Sequence, residues 1–568
     1  MSGEQGAFLG QLRDYPKREN RQGWSSYYHR MRSSKSELFE DPEVISDASL
    51  EGASGSSGEY LYTYSDGEIK LRLDSRVEIF SFYDGAYEDT QPIRGARLKF
   101  VDPLKKKVVI SFPVSHKAPV KICIMPASPL NSRSIGDSIA RYAASPSSFP
   151  SARRLLNREP SLFKEKRTPL TLSYNDEKVD ETVRKAVNLD LSHMTVQGPP
   201  GTGKTYVGAR IILELILQGR RVGVMALSHK AINNLLLAVD TLLDTYSVKG
   251  AELVKSRSRD TGPETFKNIR IGDVVNSVHK SHLIGGTIYN ISRLPDNILD
   301  TLVIDEAGQI PLAWVMAAGR TAKNIILLGD HKQLPQVSQS LHPEGSGESV
   351  LEHLMAESDI IDESFGVFLN ITRRMNGEIT QFVSELMYDG QLKPHQENET
   401  LKLGLKDPRN SSLDDRGLSW IEMEHKNCSQ ESREEATEVQ RIIQELHEKD
   451  YPLSEVLVIA PYRAQEALLR SVLPKSMDEQ IGTVDRFQGR EADIVIFSMT
   501  SSDANNLPRD IDFLYSVKRL NVAVSRARKK AIVIANKPLL TIPVSNLEQL
   551  KLVNALCKFK HACQKALS

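Results

Sequence analysis

Asp305 and Glu306 close the apolar run Thr301 to Ile304 and are followed by Ala307, Gly308 and Gln309. Such a run reads as a buried parallel strand, and parallel sheets carry their chemistry at the carboxyl ends of their strands. Two adjacent carboxylates there suit metal-assisted cleavage of a phosphoanhydride, one holding magnesium through its shell and the next orienting water. Alone, the pair reads more readily as a solvated acidic turn after a strand. Residues 198–205, GPPGTGKT, overturn that bland reading, because they follow the apolar strand Met194 to Gln197 with phosphate-loop spacing. Gly198, Pro199, Pro200, Gly201, Thr202 and Gly203 form a loop whose backbone N–H groups can close around phosphate oxygens. Lys204 supplies a point charge for the β and γ phosphates, and the Thr205 hydroxyl can ligate Mg2+ together with Asp305. Glu306 is then poised to activate the attacking water. A third strand end, LLGDHKQLPQV, sets Gln333 where an uncharged amide can bond both the γ phosphate and that water. The set points to an ATP-driven motor that uses Mg2+.

The elements that must position these residues follow from the rest of the chain. Its 568 residues predict several domains, and 40% hydrophobic with 26% charged residues is ordinary globular composition. Lys plus Arg equals Asp plus Glu at 73 each, so no global field draws the chain to nucleic acid or membrane, and any such contact needs a local patch. No apolar run approaches the ~18 residues of a spanning helix. The first twenty residues lack a signal peptide's apolar core, so a soluble, intracellular protein, cytoplasmic or nuclear, is expected. Cys123, Cys428, Cys557 and Cys563 are too few and scattered for a disulfide framework. Cys557, His561 and Cys563 lack a nearby fourth ligand and sit in a segment with helical apolar spacing, so we read a helix there and no zinc site.

Residues 1–59 read as a basic, aromatic helical stretch (Arg13 to Arg32) followed by a Ser/Gly/acid-rich linker ending SLEGASGSSGE. Residues 60–128 hold short alternating runs broken by SDG, YDG and DPLKKK turns, which predict a small antiparallel β-barrel. Residues 129–165 read as stalk helices. From 166 to 345 strands and helices alternate as in a doubly wound α/β lobe, and a second such lobe is expected over 346–545, with a last helix over 546–568. Two parallel-sheet lobes imply a cleft between them.

GPPGTGKT, DEAGQ, GDHKQLP, RRMNGEI, APYRAQ, GTVDRFQGREADIVIFS and RLNVAVSRAR stand in this order between residues 170 and 540. In this the chain resembles the superfamily 1 helicases, in the branch that contains the RNA helicase of nonsense-mediated decay, senataxin and the immunoglobulin mu-binding helicase. The resemblance implies two tandem RecA-like doubly wound parallel-sheet lobes, with ATP between them and an inserted barrel and stalk before the phosphate loop. It implies that Arg374 and Arg526 reach the γ phosphate as fingers from the second lobe, with Gly489 and Glu491 organising the ribose or phosphate site. Arg373 stands where the family has an aromatic residue that stacks on adenine, and Val183 where it has an adenine-reading glutamine. Loose discrimination among nucleotide bases is therefore expected.

The resemblance further implies a single strand of DNA or RNA across both lobes. Ser228, His229, Lys230, Asn233 and Thr287 would touch it from the first lobe, and Pro461, Tyr462, Arg463 and Thr483 from the second. Hydroxyls, amides and backbone N–H groups at strand ends suit sequence-independent phosphate contact, and Tyr462 offers a stacking face. The branch moves 5′ to 3′. A reading from another class, an ATP-gated clamp or remodelling scaffold that grips nucleic acid without separating strands, fits the same residues. A protein-remodelling ATPase of the AAA+ type fits GPPGTGKT but leaves the second lobe's motifs unexplained.

Overall fold

The computed structural model describes residues 3–565 except 55–57, 66–68, 72, 74, 82–90, 104, 114–115, 175, 257–261, 271–272, 274, 277, 280, 357, 406–412, 414, 416, 504–506 and 510. These residues form two compact units. One comprises Asp14–Arg133 with Ser338–His342, and the other the remainder.

The smaller unit is built on a closed antiparallel barrel of β1 (Ile45–Ala53), β2 (Glu59–Tyr64), β3 (Arg76–Ser81), β4 (Ile93–Asp102), β5 (Lys107–Ser111) and β6 (Lys121–Pro126), in the order β1-β2-β5-β4-β3-β6. Alternation fills its interior: Ile45, Tyr62, Val77, Ile79, Leu98, Val108, Ile110, Ile122 and Ile124 are all buried there. The barrel begins earlier than residue 60, because β1 pairs with both β2 and β6. The Ser/Gly-rich segment expected as a linker therefore contributes a strand as far as Ala53. The SDG and YDG turns lie outside the described residues apart from Ser65.

In the larger unit the helices Arg133–Ala144 and Pro150–Leu156 precede a parallel sheet of eight strands. These are β7 (His193–Gln197), β8 (Val222–Met225), β9 (Leu253–Ser256), β10 (Lys267–Ile269), β11 (Leu283–Gly286), β12 (Leu299–Ile304), β13 (Ala322–Gly329) and β14 (Gly366–Phe368), in the order β10-β9-β11-β8-β12-β13-β7-β14. The central strands β7 and β8 are buried along their whole length and β12 everywhere but at Asp300, as helices on both faces require. β14 pairs with β7, so the first sheet reaches Phe368, beyond the expected start of the second lobe at 346. A short parallel pair, β15 (Ile371–Thr372) with β16 (Lys393–Pro394), leads on to a second parallel sheet. It holds β17 (Leu418–Met423), β18 (Val456–Ile459), β19 (Ile481–Gly482), β20 (Ala492–Ser498) and β21 (Ala527–Asn536), in the order β17-β21-β20-β18-β19. Apolar side chains pack on both of its faces, and the helix Leu547–Lys565 closes one of them through Phe559, which meets Phe382 edge-on. The fold is thus α/β, with two RecA-like parallel lobes and a barrel. Among the described residues no helix is long and apolar enough to cross a membrane.

Burial fixes a pH response. His193, His331 and His353 are held down to about 4, in each case chiefly because burial disfavours the imidazolium. An unfolded histidine titrates near ~6.5, so between there and about 4 the unfolded chain binds protons that the folded chain refuses, and stability falls as pH falls. The thermal midpoint should therefore drop on acidification through that window. The slope should flatten in His193→Gln, whose amide can still bond the Glu159 carbonyl that His193 meets at 3.0 Å.

Candidate nucleotide site and nucleic-acid face

The phosphate loop leaves β7 and enters the helix Lys204–Leu217 through Gly203, which caps it in the left-handed region at φ 82°. Two glycines are required for steric reasons. A Cβ on Gly198 would lie 2.3 Å from Lys204 Cγ, and one on Gly201 would lie 2.4 Å from Arg374 Cβ. The loop is pinned from outside as well: Thr372 Oγ1 donates to the Pro200 carbonyl at 2.9 Å, and Arg373 N donates to the Gly201 carbonyl at 2.9 Å. Lys204 Nζ rests on the Gly198 carbonyl at 2.5 Å, and Thr202 Oγ1 donates to the Pro199 carbonyl at 2.8 Å. A glycine-rich cradle opening onto a helix N-terminus matches what an oligophosphate needs.

Asp305 emerges from β12, between β8 and β13, and its N–H donates to the Met225 carbonyl at 2.8 Å. Its Oδ1 accepts from Glu306 N at 2.9 Å. Burial, followed by the neighbouring Glu306 charge, pushes the Asp305 carboxyl up to about 7. Glu306 adopts φ 53°, a left-handed conformation costly for a residue with a Cβ. Gly308 then passes so close to the next loop that a Cβ would meet the Asp330 carbonyl at 2.4 Å. The carboxylate of Asp305 and the exposed hydroxyl of Thr205 are hard oxygen donors that fit magnesium. Among the described residues no cluster of three acidic, His or Cys side chains stands ready to cage an ion, and magnesium characteristically takes few protein ligands plus phosphate and water.

The second lobe closes the site. Arg374 Nε donates to Glu491 Oε2 at 2.6 Å and its Nη1 to the Ser525 carbonyl at 3.3 Å. Arg526 is buried, its guanidinium donating to the carbonyls of Val522 (3.1 Å) and Arg490 (3.2 Å), and burial, then the Arg374 charge, lowers it to about 9. A single cavity of about 420 Å³ is lined by Lys204, Thr205, Asp305, Glu306, Gln333, Arg374, Gly489 and Arg526. Arg373 lies outside it, in an adjoining cavity, held by Asp176 at 3.2 Å.

With this arrangement in view, similarity to known proteins becomes informative. AAA domain profiles match residues 176–342 and 346–538. DNA polymerase alpha-associated DNA helicase A of Schizosaccharomyces pombe is 28% identical over 444 residues, covering 64% of this chain and 64% of that protein. DNA-binding protein SMUBP-2 of Rattus norvegicus is 30% identical over 441 residues, covering 64% of this chain and 43% of that protein. The arterivirus nonstructural protein 10 helicase aligns at 13% identity with a TM-score of 0.39, covering 84% of this chain and 77% of that chain. The profile matches over both lobes and the named DNA helicases among the relatives support a likeness to the superfamily 1 helicases, in the group of the nonsense-mediated-decay helicase, senataxin and the immunoglobulin mu-binding helicase. The chain spans less than two thirds of the length of the two curated relatives.

Most of the nucleic-acid candidates follow strand ends: Ser228, His229 and Lys230 follow β8, Thr287 follows β11, Pro461, Tyr462 and Arg463 follow β18, and Thr483 follows β19, while Asn233 lies within the helix His229–Thr245. Ser228 caps its helix by accepting from Ala231 N at 3.2 Å. Ser228, Lys230 and Arg463 are exposed, and His229, Thr287 and Thr483 half-buried. Asn233 and Pro461 are buried, and Tyr462 packs its ring on Phe513 at 5.7 Å, so in this conformation Tyr462 does not offer the free stacking face that its motif suggests.

Sequence reasoning missed Asp330 and Tyr388. Buried Asp330 Oδ2 accepts from Gln333 Nε2 at 3.1 Å and from the Tyr388 hydroxyl at 2.6 Å, joining the amide of the first lobe to the end of the helix Gly377–Met387. Asn521 Nδ2 adds a bond to the Lys332 carbonyl at 3.1 Å, and Lys518 pairs with Glu352 at 2.8 Å. GDHKQLP in the sequence marks the loop but not its partner 58 residues away. Tyr388→Phe removes a donor from a buried carboxylate and should lower stability by about 1–2 kcal/mol, read as a lower denaturation midpoint with secondary structure intact.

Proposed function

We propose that the chain is an ATP-dependent helicase or translocase that acts on single-stranded DNA or RNA and moves 5′ to 3′. The observation that carries this reading is the single cavity that gathers Lys204, Thr205, Asp305, Glu306 and Gln333 from one sheet with Arg374 and Arg526 from the other lobe. In the proposed roles the phosphate loop from Gly198 to Gly203 and Lys204 hold the phosphates, Thr205 and Asp305 hold the metal, and Glu306 takes the proton of the attacking water. Magnesium, when bound with the nucleotide, would supply charge that neutralises the phosphates. Gln333 aligns the water, and Arg374 and Arg526 stabilise charge on the transferring phosphoryl group when the lobes close, which couples hydrolysis to motion along the strand. Glu491 fixes Arg374. The exposed strand-end residues Ser228, Lys230 and Arg463, with Thr287 and Thr483, hold the polynucleotide backbone on the proposed nucleic-acid face. On this reading the barrel-bearing segment and the stalk are accessories to a two-lobed motor, and the protein is a soluble enzyme of the nucleus or cytoplasm.

Glu306→Gln should retain ATP binding and lose turnover by about 10²- to 10⁴-fold, and unchanged strand-stimulated hydrolysis in this variant would refute the assignment. ATPase stimulation by single-stranded DNA and by RNA, compared at stated salt, identifies the polynucleotide. A duplex with a 5′ overhang separates the two mechanistic readings. Displacement of the paired strand supports the helicase, whereas ATP use without product release supports the clamp.

A further inference from the structure

The helix Gly3–Arg32, which belongs to the smaller unit from Asp14 onward, has no role in the reading above, yet it carries a local basic patch on a chain with no net charge. Six Lys and Arg residues stand against two acids between Asp14 and Lys35, and no acid falls between Glu19 and Glu37. Four of the six are engaged: Lys17 with Asp14, Arg18 with His342, Arg30 with Asp41 and Glu43, and Lys35 with Asp47. Arg21 and Arg32 are exposed and make no hydrogen bond or ion pair among the described residues. Between them lie Trp24, Tyr28 and Met31, at the three- and four-residue steps that align side chains on one helical face. Tyr28 is 53% exposed, Met31 43%, and Trp24 half-buried. The rings are also braced. Trp24 and Tyr28 stack with centroids 5.6 Å apart and planes 24° from parallel, and Tyr27 meets both edge-on at 5.8 and 5.6 Å. The buried Tyr27 hydroxyl donates to Glu78 Oε2 of β3 at 2.7 Å, and Glu78 Oε1 accepts from Ser128 Oγ at 2.7 Å. At Gly23 the helix runs so close to its neighbour that a Cβ would lie 3.0 Å from Pro129 Cγ. An aromatic strip left open to water on a basic face marks an interaction site.

We propose that Trp24 and Tyr28, flanked by Arg21 and Arg32, form an accessory site for single-stranded nucleic acid on this helix. The stacked rings offer a flat apolar face to a base, and the two unpaired guanidiniums take the flanking phosphates, the combination that sequence-tolerant strand binding uses. From Arg21 to Arg32 the helix advances ~16 Å at 1.5 Å per residue, room for a few nucleotides. An acidic peptide would satisfy the arginines but has no π-face for the rings, so charge and ring geometry together favour a polynucleotide. The site lies outside the strand-end residues of the lobes, and none of its groups lines the nucleotide cavity, so its binding needs no ATP and does not rest on the motor reading.

The test measures, by fluorescence anisotropy across a salt series and without ATP, binding of labelled oligo(dT) and oligo(rU) of about twelve nucleotides to the whole chain. Wild type is compared with Trp24→Ala/Tyr28→Ala and with Arg21→Gln/Arg32→Gln. Losing the rings should raise Kd about tenfold. Losing the arginines should flatten the slope of log K against log salt by about 1.4, two phosphate contacts at ~0.7 each. Circular dichroism and strand-independent ATP hydrolysis should match wild type in both variants. The arginines have no partner to lose, so their variant tests the site even where the ring variant unsettles the barrel. A loss with either oligonucleotide supports the site and names its sugar. Unchanged Kd and slope in both variants overturn the proposal. Polyglutamate that binds wild type as tightly as oligo(dT) and weakens in the arginine variant overturns it too, by assigning the face to an acidic protein partner. A chain that binds the strand through these residues but hydrolyses no ATP removes the motor reading and leaves this site standing.

Discussion

The close approach of Gly201 to the chain at Thr372–Arg374 is the constraint on which the site depends. Two hydrogen bonds join the phosphate loop to this segment, and the space between Gly201 and Arg374 leaves no room for a methyl group. The segment is also the link from β14, the last strand of the first sheet, to the helix Gly377–Met387 of the second lobe. Where the phosphate loop sits therefore decides where Arg374 sits, to within the play of one side chain. Glu491 and the Ser525 carbonyl take up the remaining freedom of the guanidinium.

Around this contact several groups are held against their own preferences. Asp305 is buried beside a second carboxylate and raised to about 7, while Arg526 is buried beside a second arginine and lowered to about 9. Glu306 sits in a backbone region that favours glycine. Strain of this kind is tolerated only where surrounding packing over-determines it. Here that packing is the wall-to-wall approach of the DEAG turn and the loop after β13, where Gly308 and Gly329 each leave no space for a Cβ. Titratable groups pushed from their usual range and gathered in one cleft mark a site shaped for chemistry. Asp330 extends the same logic across the lobes, since one carboxylate serves both Gln333 and Tyr388.

Much of this was visible in the sequence because it is local. GPPGTGKT, the apolar runs of β7, β8, β12 and β13, and the acids that end β12 lie within a few residues of the features that explain them, and glycine spacing or strand period needs no partner to be read. The alternation of strands and helices likewise gave two parallel-sheet lobes. The misreadings all depended on a partner distant in the chain. A Ser/Gly-rich segment became β1 because β2 and β6 flank it, and three residues at Gly366 joined the first sheet because β7 had an open edge.

The chain's order of residues thus determined which chemical groups exist and which strand end each one occupies, since backbone period and glycine placement act over one or two turns. Folding decided which of those strand ends share a cavity and which side chains stay free to act there. Tyr462 carries a motif's aromatic ring but spends it on Phe513, whereas Tyr28 keeps half its surface open. Asp330 and Tyr388 become one interaction only when two lobes dock. Burial and long-range pairing arise from the packing of segments far apart in the chain, and no window of sequence holds both partners.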